Sequence, residues 1–474
     1  MNRDLRTFLR EMNDAGRLLT VSKPVAIDFE IQVIQQKLAR LNRYPALYFE
    51  RVKGFPNPVV SGLFGSYELL QAAIGAESRH VLASTFLEKS ARSPGTVLVP
   101  PEQAPVKEVK YLGDEVDLTR LPIGQHAEGD SGKYITIGCL VCKDPDTGVT
   151  NIGVYRHELK GERRLGCMIN PANDGAYVFR KHKERNLPME VAIFIRDHPA
   201  VIIGALAKNG LDHSEYDVMA GLLGEPLELV QGETVDLPVP AWAEIVIEGV
   251  IRPEIEERDG PFGEYQGYYG PPRKVPVIEV TAVTMRRDAV FHDLDPAHRE
   301  HFMSGLPGKE GQILTRVKQV VPSVKAVCLP PSGCCLYHIY LSISKRVPGE
   351  GRYAGLAALG CNHNFKHVIV VDDDVDVYNE EEVLWALATR FEADKDCTFL
   401  PFTLGAHLDP TSYGESRSNE GPMTTKVIFD ATRPVQTPFA ERVRPPVDVW
   451  DAVRLEDYLG GADSWHRIQG GMGA

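Results

Sequence analysis

The sequence predicts a mixed fold, α+β and α/β, in three parts. Two observations support this. The 474 residues are enough for two or three domains. The hydrophobic spacing also changes character twice: alternating helix and strand patterns give way to short β-branched runs near residue 105 and return near residue 310. We therefore expect an N-terminal α/β domain over residues 1–107, a strand-rich central domain over 108–310 and a C-terminal α/β domain over 311–474.

The N-terminal region alternates helices and strands. Residues 4–17 place their apolar side chains on one helical face, and Gly16 provides a stop signal. The strand pattern LLTVSKPV follows, and Asp28 is expected to open the next helix, IDFEIQVIQQKLARL. The strands ALYFERVKGF and PVVSGLFGS and the helix YELLQAAIGA continue the alternation, which is typical of a small α/β domain.

The central region is dominated by short β-branched runs separated by turn signals such as DPDTG and NPANDG. One helical stretch, GAYVFRKHKERN, interrupts them. This pattern predicts a barrel or sandwich of about eight strands. The runs are YITIGCLVC, NIGVYRHEL, RLGCMI, EVAIFI, AVIIGAL, AEIVIEGVI, VPVIEVTAVTMR and AVFHDL.

The C-terminal region returns to alternating helices and strands. Its strand HVIVVDDDVDVYN runs into the acidic segment 372–382. Acidic side chains are favoured at helix N-termini, so we interpret this segment as a strand-end loop and helix cap rather than a cation site. Near the end of the chain, a Pro-rich stretch precedes one short helix, DVWDAVRLEDYL.

Composition excludes several classes of function. The chain has 65 Asp and Glu against 52 Lys and Arg, a formal charge of −13, which argues against general nucleic-acid binding. The start lacks a signal-peptide pattern and no apolar stretch is long enough to span a membrane, so a soluble cytoplasmic protein is expected. Eight cysteines are too few for a disulfide framework, and Cys139 and Cys142 are interpreted as buried strand residues.

The segment 249–272 carries the densest chemistry. It places Asp259 and Glu264 on either side of a Gly-Pro-Phe-Gly turn, which can direct both carboxylates into one cavity. Two close acids titrate as a coupled pair, and burial raises at least one pKa, so a proton donor for neutral pH can result. The alternative is a solvated acidic turn.

Two further segments offer site residues with an open interpretation. Asn151 and Arg156 lie at the two ends of a strand-like run, and Arg156 suits a bidentate contact with a carboxylate or, alternatively, a surface ion pair. Asp212, His213 and Glu215 suit a hard metal or a phosphate site. Capping of the following helix by Ser214 or Asp212 is the favoured alternative.

Taken together and in order, six segments resemble the UbiD family of reversible decarboxylases, which use prenylated flavin mononucleotide (FMN). The resemblance covers nearly the whole chain. The segments are GDSGKYITIG (129–138), TNIGVYR (150–156), HSEYDVMAGLLGEPLELV (213–230), AEIVIEG (243–249), DGPFGEYQGYY (259–269) and HVIVVDDDVDVYNEEEVLWALATR (367–390).

The resemblance implies a central split β-barrel that binds the flavin, between N-terminal and C-terminal α/β domains. It also implies a terminal segment that helps form a homodimer or homohexamer, and a flavin prenyltransferase that supplies the cofactor. The family's catalytic Glu–Arg–Glu network corresponds to Asp259, Arg156 and Glu264, with Asp259 in place of the usual Glu. Glu264 is expected to deliver a proton to the carbon left after CO₂ departs.

The resemblance also implies a cofactor site. The family holds the flavin phosphate through Mn²⁺ or a similar ion such as Mg²⁺, which here corresponds to Asn151, Asn173 and Glu215, with Asn173 where the family has His. A K⁺ ion would lie near the backbone of Gly204 and Ala205. The cofactor-binding residues implied are Asn151, Gly153, Val154, Tyr155, Arg156, Ala172, Asn173, Ala205, Leu206 and Glu215.

The expected substrates are aromatic, heteroaromatic or α,β-unsaturated carboxylic acids, such as an indole or pyrrole carboxylate or a hydroxybenzoate. His298 and His301, in the segment 295–308, are candidates for contacting a second polar group on the substrate, or are surface residues. Alternatives are a carboxylase, an enzyme acting on a CoA thioester or phosphorylated aromatic, and a flavin-binding subunit without catalysis. A metal hydrolase is least expected, since no HxH or HExxH motif occurs.

Overall fold

The computed structural model describes residues 4–170, 173–208, 210–412 and 422–458. Within these residues the mixed α/β class is confirmed, with a closed barrel in the central part of the chain. No helix of the described ranges combines the length and the apolar character that crossing a membrane requires.

The N-terminal region packs helices on a short sheet. The first predicted helix is confirmed: it begins after Asp4, whose carboxylate accepts the Thr7 backbone N–H at 2.9 Å. The elements are α1 Leu5–Asp14, β1 Leu18–Val21, α2 Glu30–Ala39, β2 Ala46–Phe49, β3 Val59–Ser61, α3 Tyr67–Ile74, α4 Leu82–Ser90 and β4 Thr96–Leu98.

The expectation that Asp28 opens the second helix is wrong. Helix α2 begins at Glu30, and no side chain caps its first turn. Asp28 instead accepts the Gln125 backbone N–H at 2.9 Å and the Lys133 ammonium at 3.0 Å. The carboxylate therefore joins the N-terminal region to the segment that leads into the barrel.

The central region contains most of the strands. Its elements are β5 Val109–Leu112, β6 Tyr134–Lys143, β7 Thr150–Gly161, β8 Arg164–Cys167, α5 Asp174–Glu184, β9 Met189–Ile195, α6 Pro199–Ala205, α7 Glu215–Leu223, β10 Leu227–Gln231, β11 Pro238–Pro240, β12 Ile245–Asp259, β13 Phe262–Gly263, β14 Tyr269–Gly270, β15 Arg273–Met285 and β16 Phe291–His292.

Six of these strands close into a barrel in the order β12-β9-β6-β7-β8-β15, because β12 pairs with both β9 and β15. Strands β6 and β9 and the first part of β12 are buried on both faces. Phe194 and Val246 join a core cluster that includes α6 and α7, whereas their neighbours Ile193 and Ile245 join a second cluster. Burial on both faces explains why these strands read as continuous β-branched runs.

Two of the eight runs that were expected to form barrel strands lie elsewhere in the fold. The run AVIIGAL lies in helix α6, where Pro199 occupies the first turn and His198 accepts the Ala200 N–H at 3.2 Å. The run AVFHDL contributes β16, which leaves the barrel and pairs with β3 of the N-terminal sheet. Capping and the pairing partner, rather than β propensity, decide both cases.

The C-terminal region is a five-stranded sheet in the order β17-β18-β19-β21-β20, packed against helices. The predicted final helix is two short helices, and Leu459 and all later residues lie outside the described ranges. The elements are α8 Arg299–Met303, α9 Leu306–Val320, β17 Val324–Cys328, β18 His338–Ile343, α10 Glu350–Leu359, β19 His367–Asp372, α11 Glu380–Arg390, α12 Ala393–Asp396, β20 Cys397–Leu404, β21 Met423–Ala431, α13 Val447–Ala452 and α14 Leu455–Tyr458.

The interpretation of the acidic run as a loop and cap is confirmed. Strand β19 ends at Asp372, and Asn379 caps α11 by accepting the Glu381 N–H at 3.1 Å. Asp372 and Asp374 pair with Arg390 at 2.6 and 2.8 Å. These charges compensate each other within the C-terminal region.

A buried ion pair joins the N-terminal and C-terminal regions. Arg79 donates to both oxygens of Glu310, at 2.8 and 2.5 Å, and its guanidinium lies 4.5 and 4.4 Å from the rings of Tyr67 and Tyr378. Glu310 is inaccessible to solvent and also accepts the Leu329 N–H at 2.8 Å. Removal of either partner would leave an uncompensated buried charge.

We expect Arg79→Met to lower the free energy of unfolding by about 3 kcal/mol or more, because the Glu310 carboxylate would stay buried without its cation. Urea unfolding followed by tryptophan fluorescence measures this change. Arg92→Met is the matched control, since Arg92 and Glu88 form an exposed pair at 3.0 Å, worth less than about 1 kcal/mol. Equal losses in the two variants would contradict the prediction.

Candidate active site

Arg156 lies between the two carboxylates that the sequence singled out. Its Nε and Nη2 donate to the same oxygen of Asp259, Oδ2, at 3.2 and 2.5 Å, and its Nη1 donates to Oε1 of Glu264. Asp259 ends strand β12, whereas Arg156 lies on β7. The pairing also shows that the shorter side chain of Asp259 reaches the guanidinium.

The turn after β12 places Glu264 on the other side of Arg156. Asp130 holds this turn by accepting the Gly263 N–H at 2.8 Å, and the Ser131 N–H donates to the Pro261 carbonyl at 2.9 Å. A side chain at Gly270 would come within 2.9 Å of the Glu264 carboxylate. The position of Glu264 therefore depends on the 129–138 segment and on a small residue at position 270.

An aromatic pair supports the guanidinium. The Arg156 guanidinium carbon lies 4.5 Å from the centre of the Phe262 ring, which in turn lies 4.5 Å from the ring of Tyr134. The Tyr134 hydroxyl accepts the Gly260 N–H at 3.2 Å. Cation–π contact and this hydrogen bond fix the plane in which Arg156 presents its N–H groups.

The two acids differ in environment. The Asp259 side chain is inaccessible to solvent, whereas 12% of the Glu264 side chain remains exposed. Burial raises the pKa of Asp259, and the charge of Arg156 only partly opposes this. For Arg156, burial disfavours the charged form, but Glu264 and Asp259 outweigh it and raise its pKa. The guanidinium therefore stays charged in the site.

A second cluster forms around the start of β7, five residues before Arg156. Glu215 is 2% exposed and accepts the Ile152 backbone N–H at 2.7 Å. Burial raises the pKa of Glu215 to about 7. Asn173 is hydrogen-bonded to the Tyr155 hydroxyl, and the Asn151 amide oxygen would lie 3.5 Å from a side chain at Gly175. Asn151, Asn173 and Glu215 thus gather where helices α5 and α7 begin.

Two glycines make this cluster compact. A side chain at Gly153 would meet the Tyr155 ring at 2.7 Å, and one at Gly175 would collide with its hydroxyl. Val154 packs on the core from the opposite face of β7. Ala205 ends α6 and Leu206 follows as its C-cap. Ala172 lies outside the described residues.

Ser214 caps α7 by accepting the Tyr216 N–H at 3.4 Å, so the capping interpretation of this segment is confirmed for Ser214. Glu215, the first residue of that helix, nevertheless faces the buried cluster. Across the described ranges no group of three or more His, Cys, Asp and Glu residues is arranged to hold a metal ion. The metal-type donors gathered here are instead one carboxylate and two amides.

The two candidate histidines have different surroundings. His298 caps α8 by accepting the Glu300 N–H at 3.2 Å and packs against Tyr44. His301 donates from Nδ1 to the Pro296 carbonyl at 2.9 Å, and its ring lies 5.5 Å from that of Tyr265, the residue after Glu264. Only His301 therefore adjoins the catalytic candidates.

Sequence reasoning missed several residues around Arg156 and His301. Asp130 and Phe262 lie within the segments 129–138 and 259–269, and the glycines next to them in the sequence were the available signal. Tyr265 directly follows Glu264. Lys309, whose charge acts on His301, lies one residue beyond the segment 295–308.

Family models match the chain in three consecutive stretches. They describe 3-octaprenyl-4-hydroxybenzoate carboxy-lyase: its N-terminal domain over residues 9–86, its Rift-related domain over 97–298 and its C-terminal domain over 301–431. An arginine held between two acids at the end of a closed barrel, in a chain matched by these models, defines a carboxy-lyase. The chain belongs to the UbiD family of decarboxylases.

Decarboxylases and UbiD-class enzymes are similar to this chain over most of its length. Anhydromevalonate phosphate decarboxylase of Methanothermobacter thermautotrophicus is 34% identical over 91% of this chain and 97% of that protein. The UbiD-class enzyme HmfF of Pelotomaculum thermopropionicum, solved with FMN, is 40% identical with a TM-score of 0.89, covering 96% of this chain and 100% of that one. An evolved dimeric form of HmfF was solved with prenylated FMN (39% identity, TM-score 0.85, covering 97% and 100%).

A 3,4-dihydroxybenzoic acid decarboxylase of Enterobacter cloacae is more distant in sequence, at 26% identity. Its TM-score is 0.85, and the match covers 95% of this chain and 99% of that one. The three-part architecture is therefore common to decarboxylases that act on chemically different acids.

His301 gives the folded state a pH dependence of defined sign. Burial, together with the charges of Lys309 and Arg156, lowers its pKa to about 4. In the unfolded chain the same imidazole binds a proton at about pH 6.5. As the pH falls below about 6.5, only the unfolded state takes up this proton, so the free energy of unfolding decreases until the pH reaches about 4.

We expect His301→Gln to remove this contribution. Urea unfolding of both proteins between about pH 7.5 and about pH 4.5 measures the effect. As the pH falls, the free energy of unfolding of the wild type should decrease relative to that of His301→Gln, by at most about 1.4 kcal/mol per pH unit. A difference that does not vary with pH would contradict the lowered pKa of His301.

Proposed function

We propose that this carboxy-lyase catalyses the reversible, non-oxidative decarboxylation of an aromatic, heteroaromatic or α,β-unsaturated carboxylic acid, with prenylated FMN as cofactor and Glu264 as proton donor. Two kinds of finding support this proposal. The family relationship supplies the reaction class, and a flavin is bound in the related HmfF structures. The contacts of Arg156, Asp259 and Glu264 supply the assignment of roles.

The observation that carries the assignment is the unequal accessibility of the two acids. Glu264 keeps 12% of its side chain exposed, and its Oε2 has no hydrogen-bond donor among the described residues. Asp259 is inaccessible and its Oδ2 is occupied by Arg156. A proton donor must reach the reacting carbon, so Glu264 is suited to proton delivery and Asp259 to holding Arg156.

Loss of CO₂ from an sp² carbon leaves an unstabilised electron pair, and the side chains of Arg156, Asp259 and Glu264 have no group that accepts it. When bound, prenylated flavin supplies this electron-accepting centre. Arg156 orients the substrate carboxylate with its remaining N–H groups. Glu264 gives a proton from Oε2 to the carbon that lost the carboxylate and regains one from solvent, while Phe262 and the turn around it limit the access of water.

The second cluster fits the cofactor phosphate and a divalent cation. Glu215 is a buried carboxylate without a Lys, Arg or His counter-ion in the described residues. It lies with two asparagine amides at the beginning of helices of 11 and 9 residues. Hard oxygen donors suit Mn²⁺ or Mg²⁺, and helix N-termini favour phosphate. Asn151, Asn173 and Glu215 would hold the ion, which would compensate the negative charge of the phosphate.

The proposal predicts activity that depends on the cofactor. Protein produced together with a flavin prenyltransferase should show a flavin-type absorbance and release CO₂ from members of a panel of indole, pyrrole and hydroxybenzoic acids. Protein produced without the prenyltransferase should release none. Absence of both absorbance and CO₂ release across the panel would reject the proposed function.

We expect Glu264→Gln to lower the rate of CO₂ release by about 10²-fold or more, because an amide cannot deliver the proton. Flavin content, measured by absorbance, should stay at the wild-type level. Glu254→Gln, at an exposed position on β12, is the matched control and should retain full activity. A Glu264→Gln enzyme with wild-type turnover would remove Glu264 from the donor role.

We expect Glu215→Gln to lower the content of divalent metal and of flavin in the purified protein, because the variant removes the one carboxylate of the cluster. Elemental analysis and absorbance measure the two quantities. Asp217→Asn is the control, since Asp217 is exposed on the same helix. Full metal and flavin content in Glu215→Gln would contradict the assigned site.

A further inference from the structure

Glu264 lies in a small hairpin that is separate from the barrel sheet. Strands β13 and β14 pair only with each other within the described residues, and the turn between them carries Glu264. A two-stranded ribbon is marginally stable on its own, so its position depends on contacts with the rest of the protein. The segment 125–131 contacts both strands. In β14, the Tyr269 hydroxyl accepts the Gly129 N–H at 2.9 Å.

In β13, the contact is made by a carboxylate of the same segment. Asp130 accepts the Gly263 N–H with Oδ1 at 2.8 Å. Its second oxygen, Oδ2, accepts the N–H groups of Ala127 and His126 at 2.8 and 3.3 Å. One side chain therefore closes the segment on itself and attaches it to the hairpin, so a displacement of His126 is passed on to β13.

A buried imidazole–carboxylate pair joins the segment to the N-terminal region. His126 Nε2 lies 2.7 Å from Oδ1 of Asp293, and the two side chains are 1% and 0% exposed. Gln32 on α2 donates to the other carboxylate oxygen, Oδ2, at 2.7 Å. The backbone of Asp293 is also held, since its N–H donates to the Val60 carbonyl at 3.0 Å. The pair thus connects helix α2 with the segment that supports the hairpin.

His126 is surrounded by acids that lack another cation. Asp130, Asp293 and Asp295 are buried, and within the described ranges His126 is the one cationic side chain that forms an ion pair with any of them. Burial disfavours the charged imidazole, but these three carboxylates outweigh burial and raise the pKa of His126. Charge therefore strengthens the contact between His126 and Asp293.

Arg156 has a support of its own. It lies on β7, which pairs with β6 and β8 in the barrel, and two of its N–H groups donate to Asp259 at the end of β12. Glu264 belongs to the hairpin instead. The group assigned to binding the substrate carboxylate and the group assigned to proton delivery are thus held by different parts of the protein.

We infer that His126 is a positioning residue for proton delivery: paired with Asp293, it fixes the segment 125–131 and, through Asp130, the hairpin that carries Glu264. The inference rests on the proposed function, in which Glu264 donates the proton. His126 acts through its neighbours and takes no part in the proton transfer. The N-terminal region then contributes to the reaction, although none of its residues belongs to the acid network.

The first measurement follows the hairpin and needs no turnover. Hydrogen–deuterium exchange of flavin-loaded protein, read by mass spectrometry, is compared between wild type and His126→Phe. Residues 260–270 should exchange about tenfold faster or more in the variant, because the segment that holds the hairpin is no longer fixed. Residues 189–195, which form β9 in the barrel, should exchange as in the wild type.

The second measurement separates proton delivery from substrate binding. His126→Phe should lower kcat for CO₂ release about tenfold or more, since small displacements of a catalytic group are costly, and change KM less than about twofold. His126→Gln retains an N–H donor for Asp293 and should restore most of the wild-type kcat. His80→Phe is the matched control, because His80 and Asp376 form an exposed pair at 3.1 Å, and it should match the wild type in both measurements.

Three outcomes would overturn the inference. They are unchanged exchange of residues 260–270 in His126→Phe, equal acceleration of residues 189–195, and a higher KM with unchanged kcat. If His126→Phe does not fold, Asp293→Asn replaces it, since this variant keeps the size of the side chain and removes its charge. Unchanged exchange of residues 260–270 in Asp293→Asn would equally reject the inference.

The two proposals fail in different ways. Faster exchange of residues 260–270 in His126→Phe, in a protein that releases CO₂ from none of the acids tested, would support the positioning role and count against the proposed function. Normal exchange together with CO₂ release at the wild-type rate would keep the proposed function and remove His126 from it.

Discussion

Closure of the barrel is the constraint on which the site depends. Strand β12 pairs with β9 on one side and β15 on the other, so its last residue, Asp259, has a fixed position relative to β7. Arg156 on β7 then meets that carboxylate with two N–H groups, and the turn that follows returns Glu264 to the third. An open sheet would leave the end of β12 free to move, and a buried charged network tolerates little such movement.

Much of the fold could be predicted from spacing alone, because β6, β9 and the first part of β12 are buried on both faces and therefore read as continuous apolar runs. The failures have identifiable causes. AVIIGAL has strand-type side chains, yet Pro199 and His198 provide a helix start that outweighs their propensity. AVFHDL is a strand, but its partner is in the N-terminal sheet. A pairing partner more than 200 residues away leaves no local signature.

The residues of the candidate site also differ in whether the sequence alone could reveal them. Asp259 and Glu264 could be found because they flank one turn, and Arg156 because a motif resemblance pointed to it. Asp130 could not, since its carboxylate accepts the N–H of Gly263, 133 residues away, and no local sequence pattern marks such a contact. The role of Asp130 is a property of the packed structure, in which it and the next residue, Ser131, hold the turn that carries Glu264.

The Arg79–Glu310 pair has a consequence for how the molecule unfolds. One carboxylate, that of Glu310, accepts from Arg79 of the N-terminal region and from the Leu329 backbone N–H at the end of β17. Separation of the two regions would leave this charge without its cation, which is costly for a buried group. We therefore expect the N-terminal and C-terminal regions to lose their structure in one cooperative transition.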